Sequence, residues 1–222
     1  MFRNLIPVLA NEYYVIAPDF PGYGESAAPS VNDFEYSYER LAIVTEKFIE
    51  KLNISSYAIY LSDIGASIGF WLAVMHPERV TALVVQNGEA HFEALDMEFS
   101  KGLFDYGEDR SEKNAQVLLD WLLTIEGTKW HYLHGVRDPS RISPDNWVID
   151  RANQDRPGNK DIQLSILYNA KKNLDAYADW QKYFRKQQPP MLITRGHFAL
   201  EEEVDRIGSL MHEFLERTIN KK

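Results

Sequence analysis

Apolar positions along this chain fall into two patterns. Short continuous runs, Tyr13 to Ala17, Ser56 to Leu61, Thr81 to Gln86 and Met191 to Thr194, are closed by turn residues and read as buried strands. Elsewhere apolar residues recur every three or four positions. Tyr38, Leu41, Thr45, Phe48, Ile49 and Leu52 share one face of a helix over Tyr38–Leu52, with Ser37 or Asp33 placed to cap it. A second helix runs from about Ser67 to His76 and stops at Pro77. Residues 2–10 read as a short helix, and Glu201 to Ile219 as a terminal helix with Val204, Ile207, Leu210, Met211, Phe214 and Leu215 on its apolar face. The strands are continuous rather than alternating, which predicts a parallel sheet covered on both faces.

Residues 89–187 hold no comparable strand. Gln116–Ile125 and Asp161–Arg185 read as helices, Ser143-Pro144 as a helix start, and Arg156-Pro157-Gly158-Asn159 as a turn. Trp121, Trp130, Trp147 and Trp180 all lie here. The chain therefore divides into a core half over 1–88, an all-helical insertion with an aromatic-rich face over 89–187, and a second core half over 188–222.

Composition narrows the function. The 222 residues include no Cys, which excludes thiolate metal sites, disulfides and a Cys nucleophile. The 24 basic and 33 acidic residues give a net charge of 24 − 33 = −9, which argues against nucleic acid as a partner. No apolar run is long enough to cross a membrane, and the first ten residues lack the layout of a signal peptide, so a cytoplasmic location is expected.

Asp63 follows a buried strand and precedes a helix. It is either the helix cap or, on a sharp strand–turn–helix junction, a carboxylate aimed off the sheet edge to attack an electrophilic carbon. His197, between a short strand and the last helix, is either a loop residue or the base that activates water. His131, His134 and Asp138 read as loop or surface residues, since no further metal ligand stands at a recognisable spacing. Gly22 and Gly24 read as turn glycines, and Glu201-Glu202-Glu203 as helix N-terminal charge.

Asp19-Phe20-Pro21-Gly22-Tyr23-Gly24-Glu25-Ser26, Tyr60-Leu61-Ser62-Asp63-Ile64-Gly65-Ala66, His76-Pro77-Glu78-Arg79-Val80 and Gly196-His197-Phe198, in this order, resemble an alpha/beta hydrolase. The closest groups are haloalkane dehalogenases and epoxide hydrolases. The resemblance implies Asp63 as nucleophile, the backbone N–H of Ile64 as an oxyanion donor, His197 as general base and residues 89–187 as a helical cap. It implies no cofactor and no metal. The substrate would be a small apolar electrophile such as an epoxide or alkyl halide. Ile64 stands where dehalogenases carry a halide-holding Trp, which weakens the halide reading. Tyr106, Tyr132, Tyr168 and Tyr177 are the cap tyrosines available to protonate an epoxide oxygen.

Against this family pattern the chain reads as truncated at its N-terminus and internally deleted before the catalytic His. Relatives carry three strands and a His-Gly oxyanion loop ahead of the helix that Phe2 to Ala10 resembles. Losing the third of these strands would leave Tyr13–Ala17 and the strand ending at Leu61 without the strand that separates them. Relatives also carry a loop with the catalytic acid, a helix and a last strand between Arg195 and the His. The family's alternative acid position falls on Asn87, and Glu89, two residues on, is the candidate to orient His197. The expected fold is thus an incomplete alpha/beta-hydrolase fold. The expected function is Asp-nucleophile hydrolysis, with a catalytically impaired binding or structural relative, or a truncated gene model of an active hydrolase, as alternatives.

Overall fold

The computed structural model describes residues 1–196 and 198–219. In chain order its elements are α1 (Leu5–Ala10), α2 (Tyr38–Lys51), β1 (Tyr57–Ser62), α3 (Ile64–Met75), β2 (Val80–Gln86), α4 (Lys101–Glu108), α5 (Glu112–Leu122), α6 (Ile125–Leu133), α7 (Asp145–Gln154), α8 (Asn159–Lys172), α9 (Tyr177–Gln187), β3 (Met191–Thr194), α10 (Ala199–Glu202) and α11 (Val204–Ile219). The result is a mostly helical α/β fold with a small parallel sheet, flanking helices and a helical cap insertion, smaller than the full alpha/beta-hydrolase sheet. The chain forms two compact units: Met1–Ala17 with Leu41–Ala94 and Ala176–Lys222, and Pro18–Arg40 with Leu95–Asp175.

The first unit holds the sheet. Its order is β1-β2-β3, both pairs parallel. The register aligns Ser62 with Gln86 and Gln86 with Thr194, so all three strands finish on one line. β2 is the best covered, with Ala82, Leu83, Val84 and Val85 buried. The helix α3 packs on β1 and β2, and α11 on β2 and β3. Leu5, Val84, Leu200, Ile207 and Met211 form one buried cluster. Trp180 is fully buried, in ring contact with Phe70, Trp71 and Tyr177.

The expected strand Tyr13–Ala17 does not form. This segment has no strand assignment, and Tyr14 is 81% exposed. A strand is defined by its partner, and among the described residues none pairs with this run. β3 also departs from the expected double cover: it is an edge strand, and Ile193 is 68% exposed.

The His76–Val80 motif ties the first unit together. The carboxylate of Glu46, buried on α2, contacts His76 Nε2. Arg79 donates to the Ile54 carbonyl and lies 5.6 Å from the Tyr57 ring centroid.

The second unit is helical. α4 packs on α5 and α8, and Tyr106, Leu118 and Leu167 form its buried cluster. The Asp19–Ser26 motif is a turn: the Asp19 carboxylate accepts from Glu25 N at 2.9 Å, and its carbonyl accepts from the Ser26 hydroxyl at 2.6 Å. Gly24 has φ +47, and a Cβ there would overlap the Asp19 carboxylate. His131 lies within α6, half-buried in ring contact with Trp121 and Trp130, which corrects the loop or surface expectation for it; the exposed His134 follows α6 and stacks on Trp130, and the exposed Asp138 accepts from Ser140 N, as surface residues do.

Several helix bounds differ from expectation. Asp161–Arg185 is not one helix: α8 ends at Lys172, a 3₁₀ turn covers Asn173–Ala176, and α9 begins at Tyr177. The break falls where the chain passes from one unit to the other. The run Gln116–Ile125 is divided because the Thr124 hydroxyl caps α6, accepting from Gly127 N at 3.0 Å. Glu203 separates α10 from α11; Glu201 and Glu202 stand in the first turn of α10 as helix N-terminal charge, and Glu201 is buried. Ser37 does cap α2, accepting from Arg40 N at 3.2 Å.

Candidate active site

Parallel strands that end in register place the residues after them along one edge. Asp63 follows β1, Asn87 follows β2 and Arg195-Gly196 follow β3. Neighbouring strands lie about 4.8 Å apart, so Asn87 is about one such spacing from each of the other two positions, and Asp63 is about 10 Å from the residues after β3. In open α/β sheets the carboxyl edge is where ligands bind.

Asp63 joins β1 to α3 with no intervening residue, so α3 begins at Ile64 rather than near Ser67. Its backbone has φ 50 and ψ −131, a region that residues with a Cβ seldom occupy and that costs about 1–3 kcal/mol. The carboxylate is on an exposed residue and accepts from Ile64 N at 2.5 Å. An ordinary N-cap reaches forward to the second or third helical N–H. Asp63 instead holds its oxygen on the first one, at the positive end of the helix dipole. The Asp63 carbonyl accepts from Ala66 N at 2.8 Å, and its own N–H donates to the Asn87 carbonyl at 3.3 Å. The second bond ties the turn after β1 to the end of β2.

Small residues let these segments close. A Cβ at Gly69 would come within 1.9 Å of the Leu61 side chain, so Gly69 is where α3 can approach β1. A Cβ at Gly88 would meet the Ala66 Cβ at 2.6 Å. Asn87 itself has φ 48, and Asn tolerates that conformation better than most residues.

Glu89 is exposed two residues beyond Asn87. Its charge acts on Tyr177: burial, and then the Glu89 carboxylate, push the Tyr177 phenol up to about 12. The expected base, His197, lies outside the described residues. Gly196 before it has φ 103, and its carbonyl accepts from Ala199 N at 3.1 Å.

The edge is held by a residue that the apolar pattern did not single out. Gln86, the last residue of β2, is fully buried. Its Oε1 accepts from the Tyr60 hydroxyl at 2.5 Å, and its Nε2 donates to the Gly196 carbonyl at 2.8 Å. The Thr194 hydroxyl stands 3.5 Å from the same Oε1. One amide thereby links β1, β2 and the segment leaving β3. Desolvation by burial holds the Tyr60 phenol well above its ordinary range, so it remains a donor. The signal in the sequence was a Gln closing an otherwise apolar strand, where a buried amide must find partners.

The cap tyrosines differ in their engagement. Tyr132 donates to Asp150 at 2.7 Å, and the Tyr168 ring lies 4.5 Å from the Arg110 guanidinium carbon and 4.7 Å from Lys172 Nζ. Tyr106 is buried in the second unit's cluster. Tyr177 belongs to the same unit as Asp63 and Glu89.

A parallel sheet feeding helices, with a carboxylate on a strained backbone at its carboxyl edge, makes the molecule an open-sheet α/β protein, a class in which that edge is the usual place for a ligand. Residues 1–198 match the family model described as alpha/beta hydrolase fold. The chain is 33% identical over 198 residues to an uncharacterized hydrolase of Saccharomyces cerevisiae, covering 88% of this chain and 68% of the yeast protein. It is 37% identical over 89 residues to the haloalkane dehalogenase of Mycolicibacterium paratuberculosis, which spans 40% of this chain but only 29% of that enzyme. Among solved structures, the epoxide hydrolase CorEH superposes with a TM-score of 0.69 at 17% identity, covering 97% of this chain and 86% of that one. The chain belongs to the alpha/beta hydrolase fold family, with a fold related to its epoxide hydrolase and haloalkane dehalogenase branch.

Proposed function

We propose that the chain is a hydrolase of small apolar electrophiles in which Asp63 is the covalent nucleophile, His197 the general base and Glu89 the residue that orients it. Residues 1–88 and 188–222 supply the core and 89–187 the cap. An Asp63 oxygen attacks a substrate carbon. The carbon–oxygen bond of an epoxide breaks, and its oxygen takes a proton from solvent. His197 then removes a proton from water, whose oxygen adds to the ester carbonyl carbon. The Ile64 N–H stabilises the oxyanion, the ester bond breaks, the His197 imidazolium gives its proton to the departing alkoxide, and the Asp63 carboxyl returns a proton to solvent, which restores the carboxylate.

The observation that carries this reading is the backbone of Asp63, φ 50 and ψ −131 at a strand–helix junction, with an exposed carboxylate on the first helical N–H. A residue serving only as a cap needs neither feature. Epoxides are favoured over alkyl halides because the Ile64 side chain offers no donor for a halide.

A second reading, a relative that binds such molecules without turnover, is supported by the short passage from β3 to α10. Only residues 195–198 separate the two, where family members carry their acid loop. Turnover of a panel of terminal epoxides and short alkyl halides, by the purified protein and by Asp63→Asn, tests the choice. Hydrolysis lost in the variant supports the first reading. Binding without hydrolysis in both proteins supports the second.

A further inference from the structure

Apart from the sheet edge, one group of side chains converges in a way that packing does not require. Glu12 lies just after α1, and His212 and Glu216 lie four residues apart on one face of α11. One ligand atom from each of the three falls within 4.8 Å of the others. His212 Nε2 is 2.8 Å from Glu12 Oε1. The Tyr13 ring meets the imidazole edge-on, with centroids 6.4 Å apart, and fixes one side of it.

Among the described residues the charge at this place is unbalanced. Two carboxylates face one imidazole, and among the described residues neither carboxylate has a Lys or Arg partner. An ion pair with His212 answers one carboxylate and leaves the second. A divalent cation answers both and lets the imidazole bind in its neutral form.

We propose that Glu12, His212 and Glu216 form a binding site for a divalent transition metal of the Zn²⁺ class, separate from the hydrolytic site and independent of the reading given for it. One imidazole nitrogen with two carboxylate oxygens suits Zn²⁺ and its neighbours, whereas Mg²⁺ and Ca²⁺ take oxygen ligands alone. Bonds of about 2.0–2.2 Å require ligand atoms closer together than the present spread. Glu12 and Glu216 are exposed and can rotate inward to meet that requirement. Three protein ligands leave the remaining positions to water. A bound ion would tie the segment after α1 to α11, two helices that already pack together.

The test is equilibrium dialysis of EDTA-treated full-length protein against Zn²⁺, paired with thermal unfolding. The expected result is one Zn²⁺ per chain and a rise in Tm that EDTA reverses, with Mg²⁺ at the same concentration giving no rise. Glu216→Gln and His212→Gln should each weaken Zn²⁺ binding by more than the roughly tenfold to hundredfold lost with an outer hydrogen-bond partner. Circular dichroism before metal addition confirms that each variant is folded. Glu216→Gln is isosteric and exposed, so it decides the matter even if the His variant fails to fold. Absence of Zn²⁺ uptake by the wild-type protein overturns the proposal. Binding that persists at wild-type strength in Glu216→Gln also overturns it, by placing the metal elsewhere.

Discussion

Replacing Gln86 with Leu removes the amide that links three strand ends while keeping the side chain's approximate volume. The hydrogen bonds lost include those from the Tyr60 hydroxyl at 2.5 Å and to the Gly196 carbonyl at 2.8 Å, with a longer one from the Thr194 hydroxyl at 3.5 Å. The partly buried Tyr60 hydroxyl loses its acceptor, whereas the Gly196 carbonyl keeps the Ala199 N–H at 3.1 Å. Orphaning the hydroxyl costs about 1–3 kcal/mol, and losing the bond to the still-paired carbonyl about 1 kcal/mol more. The extra apolar burial of Leu offsets part of this, so the net loss should be about 1–3 kcal/mol. At about 2–4 °C per kcal/mol for a chain of this size, Tm should fall by roughly 2–12 °C. Tyr60→Phe should cost less, about 1 kcal/mol, because Thr194 remains near the freed oxygen. The double variant should lose less than the two single losses added together, by about 1 kcal/mol, since the shared bond can be removed only once. Urea unfolding at constant m-value measures all four corners of the cycle. A Gln86→Leu protein within about 0.5 kcal/mol of wild type, or strictly additive losses, would refute the claim that this amide organises the edge.

Two further outcomes follow from the structure. Burial pushes the Tyr177 and Tyr183 phenols up to about 12, against an ordinary value of 10.0. Between these values the unfolded chain has released protons that the native state retains, so stability should fall as pH rises from about 10 to 12. Tyrosinate absorbance should then show a late-titrating class that Tyr177→Phe diminishes, and titration of all tyrosines together near 10 would count against it. Separately, β3 presents Ile193 to solvent on an edge strand, so Ile193→Lys should reduce self-association measured by light scattering without altering the circular dichroism spectrum. Unchanged association would show that this edge is not what brings chains together.

The apolar pattern located β1, β2 and β3 to within a residue at each end, because short apolar runs closed by turn residues report burial directly. The same pattern misread Tyr13–Ala17. Hydrophobicity reports the wish to be covered, whereas a strand also needs a neighbour whose N–H and C=O groups it can meet. That requirement is non-local and left no trace within the five residues. The division of Asp161–Arg185 was hidden for a related reason: the periodicity continues on either side of Asn173–Ala176, and the change of unit there is tertiary. Asp63 was legible as a junction residue, but its backbone angles were not. They follow from a strand and a helix meeting with one residue between them. Gln86 passed as a strand terminus, although a polar side chain closing an apolar run carried the information that it must be satisfied internally. The His212 cluster was invisible because Glu12 and α11 are distant in sequence and are brought together only by the packing of α1 on α11.

Asp63 as covalent nucleophile is the central claim, and its oxygen atoms record it. A single turnover of a terminal epoxide in water labelled with heavy oxygen, with enzyme in excess over substrate, is followed by proteolysis and mass measurement of the peptide containing Asp63. If Asp63 forms the ester, the label enters its carboxylate and the first product carries an unlabelled oxygen from the enzyme. Label found in the product alone, with an unlabelled Asp63 peptide, would contradict the account and assign water, not Asp63, as the group that attacks the substrate.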